Sequence, residues 1–170
     1  MTRAVVLPGR AYPATAPVLA LAVDALGRHG CAVHAVEWQL AGAPDDPASW
    51  VCERLVEAAA DGCDLVVGKS LGTWAAAYAG KQGWPAVWLT PVLTDAGCAA
   101  GIRDNAAPQL VVSGTADFAF DPEVAHGLGC ELYEVEGADH ALSHDDDLRL
   151  RETTRAGIAD ALDAFLGGLR

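Results

Sequence analysis

No Cys-x-x-Cys pair, no cysteine/histidine cluster, no excess of positive charge and no apolar run near the ~20 residues that span a bilayer occur in this 170-residue chain. Each absence removes a class of protein. The five cysteines, Cys31, Cys52, Cys63, Cys98 and Cys130, are odd in number and widely spaced, so neither a zinc site nor a disulfide framework is indicated. They read as small core or helix residues in a reducing compartment, and no metal or organic cofactor is expected. With 23 Asp+Glu against 11 Lys+Arg the formal net charge is −12, which argues against nucleic acid and anionic membrane surfaces as partners. The charge names no partner, and the oligomeric state is not legible. The N-terminal stretch has one early arginine and a strand broken by Pro8, Gly9 and Arg10, too interrupted for a signal peptide. A cytoplasmic protein is expected. No repeat, linker or low-complexity segment divides the chain, so one domain over residues 1–170 is expected.

What is present is a strand–helix alternation from end to end. Hydrophobic residues make up 52% of the chain and charged residues 20%, the balance of a globular protein. Short apolar runs at 4–7, 32–36, 64–67, 86–89, 109–113 and 131–135 read as six strands. Helices are expected over 16–29, with Leu19, Ala22, Val23 and Leu26 on one face, and over 47–60, where Asp46-Pro47 supplies a cap and first turn. Another follows the third strand to about Gln82. A last one over 147–166 is announced by Leu150, Ile158, Leu162, Phe165 and Leu169 at helical spacing. Asp145, Asp146 and Asp147 sit where negative charge complements that helix's dipole. A loop is expected over 38–46, and at most one short helix over 90–108. Strands of this kind, mostly without inside/outside alternation, imply a parallel sheet covered on both faces. The expected architecture is a three-layer α/β/α doubly wound sheet of about six parallel strands, with the site at the strands' carboxyl ends.

The most informative five residues are Gly68-Lys69-Ser70-Leu71-Gly72, between the third strand and a helix-forming run. Gly-x-Ser-x-Gly in a strand-to-helix turn reads as a nucleophile elbow: it exposes the serine Oγ on a sharp bend, and the following helix aims free N–H groups where an oxyanion would form. Only about 0.04 such matches are expected by chance at this composition, before the flanking elements are required. A serine needs a base, and the base an orienting acid. Gly114-Thr115-Ala116-Asp117 follows the fifth strand, and Gly137-Ala138-Asp139-His140 the sixth. The chain order is Ser70, Asp117, His140, each just beyond a strand's carboxyl end. His144 is the rival base and Asp121 the rival acid, although Asp121 before Pro122 reads as a helix cap. Asp139 reads as shaping its loop.

These motifs resemble those of the α/β-hydrolases, reduced to the core of that fold and lacking its two leading antiparallel strands and a large cap. The resemblance covers essentially the whole chain. It implies an oxyanion hole from the N–H of Leu71 and of Arg10, the residue after Pro8-Gly9, where the family more often has His-Gly. It also implies a fairly open cleft, with Tyr12, Trp38, Trp74, Leu93, Phe118 and Phe120 as candidate walls.

Lys69 invites other readings. A phosphate loop ending in Gly68-Lys69-Ser70 fails, because Gly62 lies one residue too far upstream and the intervening residues are strand. Lys69 reads as a structural neighbour salt-bridged beneath the elbow, or as the base of a Ser–Lys dyad. The Arg10 guanidinium either faces the cleft and reads an anion or stays out of it. The expected function is hydrolysis of a small-molecule ester or thioester through a Ser–His–Asp triad. Acyl transfer or cyclisation by the same triad, and a non-catalytic binding protein on this scaffold, are the alternatives.

Overall fold

The computed structural model describes residues 1–38, 40, 44–144 and 148–169. Asp145, Asp146 and Asp147, and part of the expected 38–46 loop, lie outside them.

Six strands form one sheet: β1 (Arg3–Leu7), β2 (Ala32–Ala35), β3 (Leu65–Lys69), β4 (Ala86–Leu89), β5 (Gln109–Gly114) and β6 (Glu131–Val135). Their order is β2-β1-β3-β4-β5-β6 and every pairing is parallel. Between them run α1 (Pro17–Arg28), α2 (Pro47–Ala58), α3 (Ala76–Gln82), α4 (Ala96–Arg103), the short α5 (Pro122–His126) and the final α6 (Leu148–Gly168). This is the expected doubly wound α/β architecture. The chain leaves β1 toward β2 on one side and returns to β3 on the other, so a crevice opens at the carboxyl ends of β1 and β3.

Strand periodicity builds both core layers. Val6, Val67, Val87 and Val112 face α1 and α6, with Leu19, Leu26, Ile158 and Leu162. Val5, Val66, Trp88 and Val111 face the opposite layer, with Val51 and Leu55 of α2 and Ile102 of α4. Successive side chains point to opposite faces, so strands buried on both sides are apolar throughout. Every residue of β3, β4 and β5 is buried, whereas the edge strands β2 and β6 are partly exposed.

The helices start where their chemistry dictates. Asp46 accepts from the Ser49 N–H at 3.1 Å, Asp95 from Gly97 and Cys98, and Asp121 from Val124 at 3.1 Å. Each such cap is worth about 1 kcal/mol. Proline occupies the first turn of α1, α2 and α5.

Two differences from the sequence reading bear on the site. β3 runs on through Gly68 and Lys69, which pair with Trp88 and Leu89 of β4. The turn beyond it is a tight 3₁₀ segment over Ser70–Ala75 before α3 begins, where one continuous helix was expected. As expected, residues 90–108 hold only the eight-residue α4, so no large cap covers the crevice. Leu150, expected on the apolar face of α6, is 46% exposed. Among the described residues no helix is long and apolar enough to cross a membrane.

Candidate active site

The elbow is locked by close backbone approach. A Cβ on Gly72 would lie 2.5 Å from the Leu7 carbonyl oxygen, and one on Gly68 would lie 2.7 Å from the Gly72 carbonyl oxygen and 2.8 Å from Trp88. Both contacts lie far inside what a real side chain tolerates, so only glycine lets β3, the turn and β1 meet this closely. The serine between them takes a positive φ of 49°. For a residue with a side chain that is a sparsely populated, strained conformation, and it persists because the surroundings fix it.

The topology brings Ser70, His140 and Asp117 together. His140 Nε2 is 2.8 Å from Ser70 Oγ, and His140 Nδ1 is 2.8 and 2.9 Å from the two oxygens of Asp117. The Asp117 side chain is fully buried, and Oδ1 also accepts from the Ala119 N–H at 2.8 Å. An ionised carboxylate can only accept, so Nδ1 is the protonated nitrogen. That leaves Nε2 of the neutral ring to accept from the Ser70 hydroxyl.

The rival residues are engaged elsewhere. His144 Nε2 pairs with Thr154 Oγ1 of α6 at 3.0 Å. Asp121 caps α5, as its sequence context indicates. Asp139 Oδ1 accepts from Ala141 and Ser143, each at 2.9 Å, and so shapes the loop that carries His140.

On the opposite side of Ser70, the loop after β1 closes on itself, with the Gly9 N–H donating to the Tyr12 carbonyl at 3.0 Å. A Cβ placed on Gly9 would stand 3.7 Å from Ser70 Cβ, so this loop passes directly beside the serine. The Arg10 N–H meets no carbonyl among the described residues. The Leu71 N–H belongs to the first turn after β3, whose donors have no partner within their own helix.

From this loop a cleft of about 670 Å³ extends toward β2, lined by Arg10, Tyr12, Val36, Glu37, Trp38 and Leu40 among others. The Trp38 indole N–H donates to the Gly9 carbonyl at 3.0 Å and so braces the loop that it walls. Arg10 and Glu37 both line the cleft, so its charged groups carry one charge of each sign.

The remaining expected wall residues do not line this cleft. Phe118 is 80% exposed and lies against the His140 ring with centroids 4.6 Å apart. Trp74 and Phe120 are half-buried and pack against the α2–α4 core layer. Leu93 is a correction. It is 2% exposed and its side chain is buried in the apolar layer with Trp88 and Ile102, so it walls no cleft.

Lys69 is also corrected in part. It is a structural neighbour of the elbow, but among the described residues no carboxylate reaches its ammonium. Nζ donates to Thr90 Oγ1 at 2.6 Å and to the His140 carbonyl at 2.8 Å, and it lies 4.8 Å from the centre of the Tyr12 ring. Burial pushes its pKa down from 10.5 to about 8, against the opposing pull of the Asp117 and Asp139 carboxylates. Thr90 was missed in the sequence. Its position directly beyond the carboxyl end of β4 is the one signal that pointed to it.

No family model matches the sequence, and no curated protein does. Solved structures do. Est1E from Butyrivibrio proteoclasticus, with ferulic acid bound, superimposes with a TM-score of 0.71 at 14% identity, covering 99% of this chain and 89% of that one. A lidless α/β serine hydrolase from Xanthomonas campestris gives 0.66 at 16% identity, covering 99% and 82%. A monoacylglycerol lipase from Paleococcus ferrophilus gives 0.67 at 15% identity, covering 96% and 94%. The chain has the α/β-hydrolase fold.

Proposed function

We propose that this α/β-hydrolase domain, spanning residues 1–170, is a serine hydrolase cleaving an ester or thioester of a small molecule. The observation that carries the reading is the unbroken chain from Ser70 Oγ through His140 to the buried Asp117 carboxylate. A strained serine, an accepting imidazole nitrogen and a buried orienting acid have no purpose in a scaffold that merely binds.

In this reading Ser70 Oγ attacks the acyl carbon as its proton passes to His140 Nε2. Asp117 accepts from Nδ1–H, holds the tautomer and stabilises the imidazolium that forms. The N–H groups of Leu71 and Arg10 receive the oxyanion. Collapse expels the alcohol or thiol, protonated by His140. Water, deprotonated by the same nitrogen, then attacks the acyl-enzyme and frees the acid. Removing an oxyanion donor in such sites costs about 10²–10³ in kcat, so the two N–H groups carry a large share of the acceleration.

Hydrolysis is favoured over acyl transfer by access. His140 keeps a quarter of its side-chain surface exposed, and only the eight-residue α4 stands where a cap would be, so water reaches the acyl-enzyme. The cleft beside the Arg10 loop accepts a neutral apolar group of moderate size against Trp38, Val36 and Leu40. Ferulic acid on Est1E makes aryl esters a sensible member of the first substrate set.

The test is a panel of p-nitrophenyl, aryl and thioester substrates with products identified by mass, run with and without alcohol and amine acceptors. Free acid as the dominant product in the presence of acceptors supports hydrolysis. Acyl transfer to an acceptor as the main product overturns it.

A further inference from the structure

Lys69 is a buried cation to which the reaction above assigns no task. We propose that Lys69 is a positioning residue, whose ammonium clamps the loop carrying His140 and the loop carrying the Arg10 N–H against the ends of β3 and β4. Base and oxyanion donor then hold one geometry around Ser70. The inference rests on the triad reading of the preceding subsection.

The contacts define the clamp. Nζ has hydrogens only to give, and two go to oxygens far away in sequence, Thr90 Oγ1 and the His140 carbonyl. The second acceptor belongs to the same residue as the imidazole, so a shift there moves the ring. The Tyr12 ring, 4.8 Å from Nζ, brings the β1 loop to the same charge. Tyr12 in turn accepts from Gly9 through its carbonyl and from the Val18 N–H through its hydroxyl. One ammonium therefore joins the ends of β3 and β4 to both loops that flank the serine.

Two further observations fit a built device. Lys69 is 1% and Thr90 0% exposed, so neither is held by solvent. Thr90 takes a φ of 44°, a genuine outlier for a β-branched residue, and in that conformation its hydroxyl meets Nζ. Burying an ammonium costs stability that an apolar side chain would not. What the ammonium supplies is a set of directed donors that no apolar side chain has. Lys69 is not the base, because the Ser70 hydroxyl faces His140 Nε2 and the ammonium faces other oxygens.

The clamp depends on charge. The Asp117 and Asp139 carboxylates favour the ammonium form, Tyr12 and His140 are the other titratable groups facing it, and β4 contributes only the neutral Thr90. A neutral amine keeps two N–H groups for Thr90 and His140 but loses its attraction to the Tyr12 ring. Alkaline pH therefore loosens the β1 loop first.

The experiment is the rate of fluorophosphonate labelling of the full chain from about pH 6 to about pH 10, for wild type, Lys69→Met and Thr90→Val. Wild type should label and slow along an alkaline limb centred near pH 8. Lys69→Met should label about tenfold more slowly near pH 7 and lack that limb, since a displaced catalytic group loses rate steeply. Thr90→Val, which keeps the lysine and serves if Lys69→Met does not fold, should label about threefold more slowly with the limb displaced. A merely structural lysine would change the urea midpoint and leave the limb in place. Variants that label at the wild-type rate with the wild-type limb overturn the clamp and leave the triad standing. A wild type that never labels removes the triad reading and the clamp with it.

Discussion

His140 Nε2 sits 2.8 Å from Ser70 Oγ across 70 positions of sequence, and the contact exists because both residues stand just beyond carboxyl ends of strands in one parallel sheet. The serine is held at a strained φ of 49°, and the imidazole is turned toward it by a carboxylate with no exposed surface.

Removing the proposed nucleophile separates the proposed chemistry from the fold. Ser70→Ala keeps a Cβ in the same bend and changes no core contact, so its thermal midpoint should stay within a few degrees of wild type. Ester turnover should fall by about 10⁴–10⁶, leaving only what the oxyanion donors and binding provide. Turnover above one hundredth of wild type, measured on the same ester, would exclude Ser70 as the nucleophile.

Asp117→Asn tests the orienting acid. The asparagine carbonyl can still accept from the Ala119 N–H, so the loop should hold. Its amide, however, favours the tautomer protonated at Nε2, which cannot take the serine proton. A fall of about 10⁴ in kcat is expected by the triad precedent. Asp121→Asn should leave kcat unchanged, since that side chain serves only the cap of α5. Matching losses for the two variants would return the acid role to open competition.

Gly72→Ala probes the packing of the elbow. The added methyl would meet the Leu7 carbonyl, a backbone atom that cannot swing aside. A loss of about 3 kcal/mol in urea unfolding is expected, at the upper end for overpacking. A loss below about 0.5 kcal/mol would mean that β1 and the turn are not in contact.

Lys69 gives stability a pH dependence of unusual sign. The native ammonium loses its proton near pH 8 and the unfolded one near 10.5. Between those values the unfolded chain binds more protons, so this group's contribution to unfolding free energy rises with pH. Below about pH 8 both states are protonated and the whole cost of burying the charge applies. The stability of Lys69→Met relative to wild type should therefore fall by up to roughly 3 kcal/mol between about pH 8 and about pH 10.5. Cys63 and Cys98, both raised by burial, oppose this trend, but they are present in both proteins and drop out of the difference. Urea unfolding of both proteins across this range measures it, and a pH-independent difference would contradict the buried-ammonium assignment.

Trp38→Ala should separate substrates by size. The indole walls the cleft and ties down Gly9, so kcat/KM for an aryl or medium-chain ester should fall about tenfold more than for an acetyl ester. Equal losses on both would confine Trp38 to bracing the loop.

Much of this was legible because the proposed site lies at strand ends. Apolar runs bounded by glycine fixed β3, β5 and β6, and the residues just past them are Ser70, Asp117 and His140. Position along the chain thus stood in for position in space. The cap at Asp121 was readable although α5, one turn long, was not recognised as an element. Leu93 was misjudged because a loop's sequence does not say which of its apolar side chains turns inward. Leu93 turns in to join the buried apolar layer that holds Trp88 and Ile102. Lys69 lacked a partner in the reading because its acceptors lie 21 and 71 residues away and are a hydroxyl and a carbonyl, groups without a sequence signature.

The most direct measurement is intact-mass spectrometry of wild type and Ser70→Ala after incubation with a fluorophosphonate. A triad at Ser70 predicts one adduct on wild type, mapping to the peptide that contains Gly68-Lys69-Ser70, and none on the variant. An unmodified wild type, or an adduct that survives in Ser70→Ala, would contradict it.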